Sequence, residues 1–176
     1  MIIKAVLYLS KKRKLFLYFV QFLSAFSLIY PVVSLPTSKF ILISQNYLSN
    51  HSLNDLLIKG MEKGIQGDYQ KAIIDFTKVI RLSPYDIEAY YNRGIAYEKI
   101  NYNISAIADF DKAIRLNSNM VDIYIARANV SYKLGHLREA ITDLKTAKIL
   151  CYQQKNKTCY QETLDMLDNF QTLKNL

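Results

Sequence analysis

Two cysteines near the C-terminal end are the residues whose spacing could support a covalent bond. Cys151 and Cys159 flank the polar stretch YQQKNKT, and both adjoin segments with helical patterns. Antiparallel helices joined by such a loop could bring the two sulfurs within bonding range, and an exported protein could keep the disulfide. The alternative is two free thiols, one of them packed in the core. The spacing fits neither a zinc site nor a CxxC redox pair.

Histidines and recurring aspartates are the other candidates for chemistry, and they are dispersed. His51 and His136 are the only histidines and lie far apart in the sequence. Metal binding and acid–base catalysis need clustered groups, so both are interpreted as solvated turn residues. Asp75, Asp109 and Asp143 recur at a fixed interval, which indicates a solvated or helix-capping role in a repeated unit. With no Gly-rich phosphate loop and no nucleophile motif, the sequence predicts no enzyme, no metal and no cofactor.

The interval between these aspartates is a period of 34 residues that relates three copies of one pattern. The stretch AIIDFTKVIRLSP (72–84) returns as AIADFDKAIRLNS (106–118). The other positions that align are Gly60, Gly94 and Ala128; Ala72, Ala106 and Ala140; Phe76, Phe110 and Leu144; and Leu82, Leu116 and Leu150. Three copies at one period without a gap predict a repeated structural unit.

Apolar residues within each copy have helical spacing. In the first copy, one helix face is formed by Ala72, Ile73, Phe76, Val79 and Ile80. The breaks QGDY, NYNI and LGHL separate the two helices of each copy, and SPYD, with a Pro and a helix-capping Asp, separates the first two copies. Because helices this short are marginal alone, the copies must stack to bury one another's faces.

The period, the helix pair and the small-residue pattern resemble the tetratricopeptide repeat. The second copy matches the small and aromatic positions of that family with Tyr90, Gly94, Tyr97, Ala106, Phe110 and Ala113. The resemblance implies an all-α, tetratricopeptide-like helical-hairpin solenoid with a C-terminal capping helix. The implied bounds are three repeats over 53–154 (53–86, 87–120 and 121–154) and a capping helix within 155–176.

Stacks of this family use their inner helices to line a concave groove for a peptide or helix, and the resemblance implies the same here. The implied inward positions are Leu57, Met61 and Ile65 in the first copy; Glu88, Tyr91, Ile95, Glu98 and Lys99 in the second; and Asp122, Ile125, Asn129, Tyr132 and Lys133 in the third. This mixed lining, rich in apolar and aromatic groups, suits adaptable peptide contacts. For Leu57, Met61, Ile65 and Ile125 the alternative is packing between helices or under the segment before residue 53.

One branch of the family grips the C-terminal carboxylates of a partner with Lys and Asn at set inward positions. The corresponding sites here carry Leu57, Tyr91 and Ile125. Asn92 and Asn129 alone do not make such a clamp. A receptor for chaperone tails is therefore disfavoured.

The N-terminal 34 residues have the pattern of an export leader. A basic cluster, KKRK, precedes the uncharged apolar run 15–30, and Pro31 follows. We expect a signal peptide cleaved after Ser34, with an uncleaved anchor through residues 15–35 or a buried helix as alternatives. Residues 35–52 then form a linker, and the repeats lie outside the cytoplasm or tethered to its membrane. The leader has five basic residues and no acid, which leaves 18 basic and 15 acidic residues in the rest of the chain.

These features favour an exported or membrane-tethered scaffold that binds a protein or peptide segment and aids complex assembly. The alternative is a self-associating structural protein of the cell envelope, with the groove filled by a second copy or by the chain's own segment 40–48. Nucleic acid is not an expected partner, because most of the net charge of +8 arises in the leader rather than on a clustered basic face.

Overall fold

Seven helices and no strand form within residues 52–174, the part of the chain that the computed structural model describes. The helices are α1 over residues 52–65, α2 (Tyr69–Leu82), α3 (Ile87–Lys99), α4 (Asn103–Leu116), α5 (Val121–Lys133), α6 (Leu137–Gln153) and α7 (Lys157–Lys174). From α2 onward each helix packs on the next, and α3 also contacts α5. The predicted all-α stack of helical hairpins is confirmed.

The predicted leader, residues 35–51 of the linker, and His51 lie outside the described residues. Residue 52, predicted to be the last residue of the linker, is already helical. None of the helices in the described range combines the length and the apolar character that a membrane span requires.

A glycine on the first helix of a hairpin faces an aromatic ring on the second helix. A Cβ added at Gly94 would lie 2.6 Å from Cε1 of Phe110, and a Cβ added at Gly60 would lie 2.6 Å from Cε1 of Phe76. Real Cβ atoms do not approach other heavy atoms so closely. The glycines are therefore required because the rings occupy the space that a side chain would take.

The third copy solves the same packing problem with a different pair. Ala128 stands in register with Gly94, and Leu144 stands in register with Phe110. Both Ala128 and Leu144 are completely buried. A smaller residue on the second helix leaves room for the methyl group on the first, which conserves the volume of the joint.

The turn between the two helices of each hairpin has a left-handed residue at the same place. Gly67, Asn101 and Gly135 have φ angles of 83°, 63° and 79°. In the second copy the backbone N–H of Tyr102 then donates to the carbonyl of Tyr97 at 2.9 Å, closing the helix end in a Schellman-type turn. Asn is one of the few residues that adopts this conformation at low cost.

Helix α3, the first helix of the second repeat, has the predicted aspartate cap at its N-terminus. The side chain of Asp86 accepts a hydrogen bond from the backbone N–H of Ala89 at 2.8 Å. This bond satisfies one of the amide groups that a helix leaves unpaired at its N-terminus.

The recurring aspartates are buried, so the prediction of a solvated or capping role is wrong. Asp75, Asp109 and Asp143 are 2%, 6% and 5% exposed. Each accepts a charged hydrogen bond from a cation on the preceding helix: Lys63, Arg93 and Arg127, respectively. The carboxylates stay inside because burying an ion is tolerated when it is paired and hydrogen-bonded.

Each arginine also joins its hairpin to the preceding one. Arg127 binds Asp143 through Nε at 2.8 Å and Nη2 at 2.6 Å, and its Nη1 donates to Asp111 on α4. Arg93 binds Asp109 in the same fork, and its Nη1 donates to Thr77 on α2 at 3.0 Å. Since Thr77 and Asp111 are one period apart, these arginines form a repeated clamp across three helices.

The pKa shifts in this clamp follow from its hydrogen bonds. The hydrogen bonds that Arg127 donates to Asp143 raise the pKa of its guanidinium despite partial burial, and the bond that it donates to Asp111 adds to the effect. Burial alone would raise the pKa of Asp75, but the hydrogen bonds from Lys63 and Lys78 outweigh burial and hold this pKa below its usual value. The ionised form of Asp75 is thus favoured by its two lysine partners.

We expect Gly94→Ala to lower the free energy of unfolding by about 1–3 kcal/mol, because the new methyl group forces the Phe110 ring or the helix to move. Gly64→Ala is the matched control, since a Cβ at Gly64 meets open space. It should raise stability by up to about 1 kcal/mol through helix propensity. Adding Phe110→Leu to Gly94→Ala reproduces the third copy's pair and should recover most of the loss. Chemical denaturation measures all three, and a double variant no more stable than Gly94→Ala would contradict the proposed joint.

Arg127→Met should lower the free energy of unfolding by about 2–3 kcal/mol, because it leaves the buried Asp143 unpaired and cuts the link to Asp111. Methionine keeps much of the aliphatic stem, so the loss reports on the guanidinium. Arg138→Met, at an exposed position on α6, should change stability by less than about 0.5 kcal/mol. Equal denaturation midpoints for the two variants would show that the clamp contributes nothing.

Candidate interaction groove

Helices α3 and α5 line a cleft of about 200 Å³. Six of the predicted groove residues meet there, joined by Ala126: Tyr91, Ile95, Glu98, Asp122, Ile125 and Asn129. Residues four apart on a helix share one face, which explains why Tyr91 and Ile95 project together, as do Ile125 and Asn129. We call this cleft the α3–α5 cleft.

A second cavity of about 450 Å³ continues from α5 to the turn between α6 and α7. It shares Asp122 and Ile125 with the α3–α5 cleft and adds Asn156, Cys159 and Glu162 among its lining residues. We call it the α5–α7 cavity. The sequence predicts α7 only as a capping helix, so this wall of the cavity was not predicted. Asn156 and Cys159 lie one 34-residue period after Asp122 and Ile125. Extending the repeat by one copy could therefore have predicted these lining residues.

The predicted groove positions of the first copy do not line either cavity. Leu57 is 8% exposed and packs in the core cluster that contains Phe76 and Val79, so the alternative of packing between helices holds for it. Met61 and Ile65 are 40% and 87% exposed on α1. The groove prediction is therefore corrected for Leu57, whose side chain is used in holding α1 against α2.

Four further predicted positions line neither cavity. Tyr132 stacks on Phe170 of α7 with ring centroids 4.3 Å apart, which makes it a contact with the capping helix rather than a wall of either cavity. Lys133 forms an ion pair with Glu98 across α3 and α5. Glu88 and Lys99 are exposed near the two ends of α3 and line neither cavity.

The charged residues that line the two cavities are all acidic: Glu98, Asp122 and Glu162. Within residues 52–174 no Lys or Arg lines either one. Burial of the Tyr91 ring raises the pKa of its hydroxyl, and the nearby Asp122 and Glu98 raise it further. The walls thus combine apolar surface with a negative field.

Two family models match the chain. The model described as "TPR repeat" matches residues 65–101, and the one described as "Tetratricopeptide repeat" matches residues 87–120, which is the second copy as the sequence predicts it. The chain therefore contains tetratricopeptide repeats within residues 65–120. A comparison of this tetratricopeptide-repeat protein with curated proteins finds no match.

Solved structures with the same helical stack are similar to most of the chain. The translocator chaperone SycD of Yersinia enterocolitica is 19% identical, with a TM-score of 0.68 over 72% of this chain and 88% of that one, a likeness of fold. The TPR2B domain of yeast Sti1, solved as a complex with pHsp70, is 25% identical, with a TM-score of 0.65 over 69% and 97%. The first TPR domain of Spaghetti (RPAP3), bound to the HSP90 peptide SRMEEVD, is 25% identical, with a TM-score of 0.63 over 70% and 94%.

One of the two cysteines of this tetratricopeptide-repeat protein, Cys159, lines the α5–α7 cavity. The structure joins Cys151, near the end of α6, to Cys159, in the first turn of α7, with their Cα atoms 5.6 Å apart. That distance is ordinary for a disulfide. Cys151 is fully buried, with Sγ 3.7 Å from Oγ1 of Thr163, whereas Cys159 is half-buried and lines the α5–α7 cavity.

The remaining histidine within the described range is not part of the groove. His136 is exposed at the N-terminus of α6 and makes no capping hydrogen bond with its side chain. Across residues 52–174 no three His, Cys, Asp or Glu side chains are close enough to hold a metal ion.

Proposed function

We propose that this protein is an exported or membrane-tethered scaffold that binds a peptide segment of another protein in the α3–α5 cleft. The observation that carries the proposal is the convergence of an apolar floor with polar groups in one cleft. Tyr91, Ile95 and Ile125 supply the floor, and Asp122 and Asn129 supply groups that can orient a bound backbone or side chain.

The solved relatives support this reading. The Sti1 and RPAP3 domains were solved with pHsp70 and with an HSP90 peptide, respectively, and each matches about 70% of this chain. Tetratricopeptide stacks are typically non-catalytic binding scaffolds, and we propose the same of this chain. Its cleft nevertheless lacks the lysines of the chaperone-tail clamp, so we propose a different kind of ligand.

Two features support a location outside the cytoplasm. The sequence of residues 1–34 has the order of basic and apolar regions found in export leaders. The Cys151–Cys159 disulfide would persist in an oxidising compartment and would be reduced in most cytosols. On the entropic account, a bond that closes so short a loop stabilises the α6–α7 hairpin by about 2–3 kcal/mol.

We expect peptides selected on the purified protein from a random library to lose at least about tenfold in affinity on Tyr91→Ala, because aromatic anchors carry much of the energy of such interfaces. Tyr152→Ala is the matched control, since Tyr152 is 75% exposed on α6 and lines neither cavity. Fluorescence anisotropy measures the affinities.

Tyr91 also contacts Phe110, with ring centroids 6.2 Å apart, so its loss could weaken the fold. Asn129→Arg gives a second test, because it fills the cleft from a half-buried position outside the described core clusters. Unchanged affinity in both variants, with a normal unfolding curve, would rule out the α3–α5 cleft as the binding site. A dimer that Asn129→Arg dissociates in sedimentation would instead favour self-association.

Protein isolated from its source should carry no free thiol at Cys151 or Cys159 under denaturing conditions, because export exposes both to an oxidising compartment. Mass spectrometry should place its N-terminus near residue 35 if the leader is cleaved. An intact N-terminus in the membrane fraction would indicate an anchor. A soluble cytosolic protein with an intact leader and two free thiols would overturn the proposed location.

A further inference from the structure

The α3–α5 cleft and the α5–α7 cavity, together called the groove, share one charged residue, Asp122. Asp122 forms part of both the α3–α5 cleft and the α5–α7 cavity, so it stands where the two meet. It is exposed, and no ion pair or hydrogen bond of its side chain occurs among the described residues. Glu98, on the facing helix, is already neutralised by Lys133. Asp122 is therefore an uncompensated charge beside the apolar side chains of Tyr91, Ile95 and Ile125.

The position of Asp122 at the start of a helix explains only in part why an acidic residue stands there. Asp122 lies in the first turn of α5, where a carboxylate is stabilised by the helix dipole. Glu139 likewise lies in the first turn of its helix, α6, and lines neither cavity. Both carboxylates are thus stabilised by a helix dipole, but only Asp122 lines a cavity. Glu139 is therefore the matched control.

We propose that the segment bound in the groove carries a Lys or Arg beside an apolar residue. This inference rests on the proposed function above. The apolar side chain packs against Tyr91, Ile95 and Ile125, and the cation lies at Asp122, where it pairs with a charge that has no other partner. The partner is a separate protein with a basic–apolar segment, chosen by complementarity of charge with the acidic lining.

An acidic segment would be repelled by the acidic side chains of the groove. Its carboxylates would face Asp122 and Glu162 with no basic side chain on either cavity wall to receive them. Like charges brought together at an interface reduce affinity and exclude wrong partners. The RPAP3 domain, by contrast, was solved with the peptide SRMEEVD, which ends in three acids and a valine. The present groove therefore selects the opposite charge with a similar fold.

The test uses three labelled peptides with the same Leu-Phe centre and with flanks of Lys, Gln or Glu, titrated against the purified protein by fluorescence anisotropy. We expect the Lys peptide to bind about tenfold more tightly than the Glu peptide, since reversal removes an attraction and adds a repulsion. Added salt should narrow the difference. Asp122→Lys should reverse the order of the Lys and Glu peptides, whereas Glu139→Lys should leave it unchanged.

The outcomes separate this inference from the proposed function. Equal binding of the three peptides, lost on Asn129→Arg, would overturn the charge selection and leave the groove in place. No binding of any peptide would overturn both. A fourth peptide of residues 37–48 has Lys39 before the apolar run. If that peptide alone binds, the occupant is the chain's own segment and the separate partner is overturned.

Discussion

The fork of hydrogen bonds from Arg127 sets the position of the helices that form the groove. This guanidinium on α5 holds Asp143 on α6 and Asp111 on α4 at once. Removing the Asp143 carboxylate from water would be costly without a fixed, hydrogen-bonded cation, so the pairing restricts the spacing of the helices. Arg93 repeats the arrangement one period earlier. The α3–α5 cleft lies between the two clamped helices, and its width follows from both clamps.

In each hairpin a small residue on the first helix packs against a large residue on the second. These pairs set how closely the two helices approach. Gly94 allows Phe110 to lie against the helix backbone, and Ala128 with Leu144 gives the same closeness with the volume redistributed. Because these residues face the interior of each hairpin, they are unavailable to a ligand. The repeated positions therefore build the frame, and the inner helices are free to vary toward the groove.

The helices were predictable because the 34-residue period, the apolar spacing and the breaks agree with one another. The role of the aspartates was not, since an acid in the middle of a helix is usually solvated and its partner lies sixteen residues away. Arg93 and Arg127 share the same period and could have indicated the pairing. In the first copy, however, Lys59 occupies that register, while Lys63 makes the bond. Packing of actual side chains, rather than register alone, decided the partner.

One register position shows why specificity depends on the inner helices. Leu57, Tyr91 and Ile125 are equivalent in the three copies, yet Leu57 is buried, Tyr91 lines one cavity and Ile125 lines two. The repeated position on the second helices is occupied by Phe76, Phe110 and Leu144. All three side chains are buried, so the frame around the varying residues is nearly constant. What differs is the side chain itself and the helix that follows it in the stack. The same helical frame can thus present a different surface wherever these inner side chains differ, and in this chain the surface is apolar and acidic.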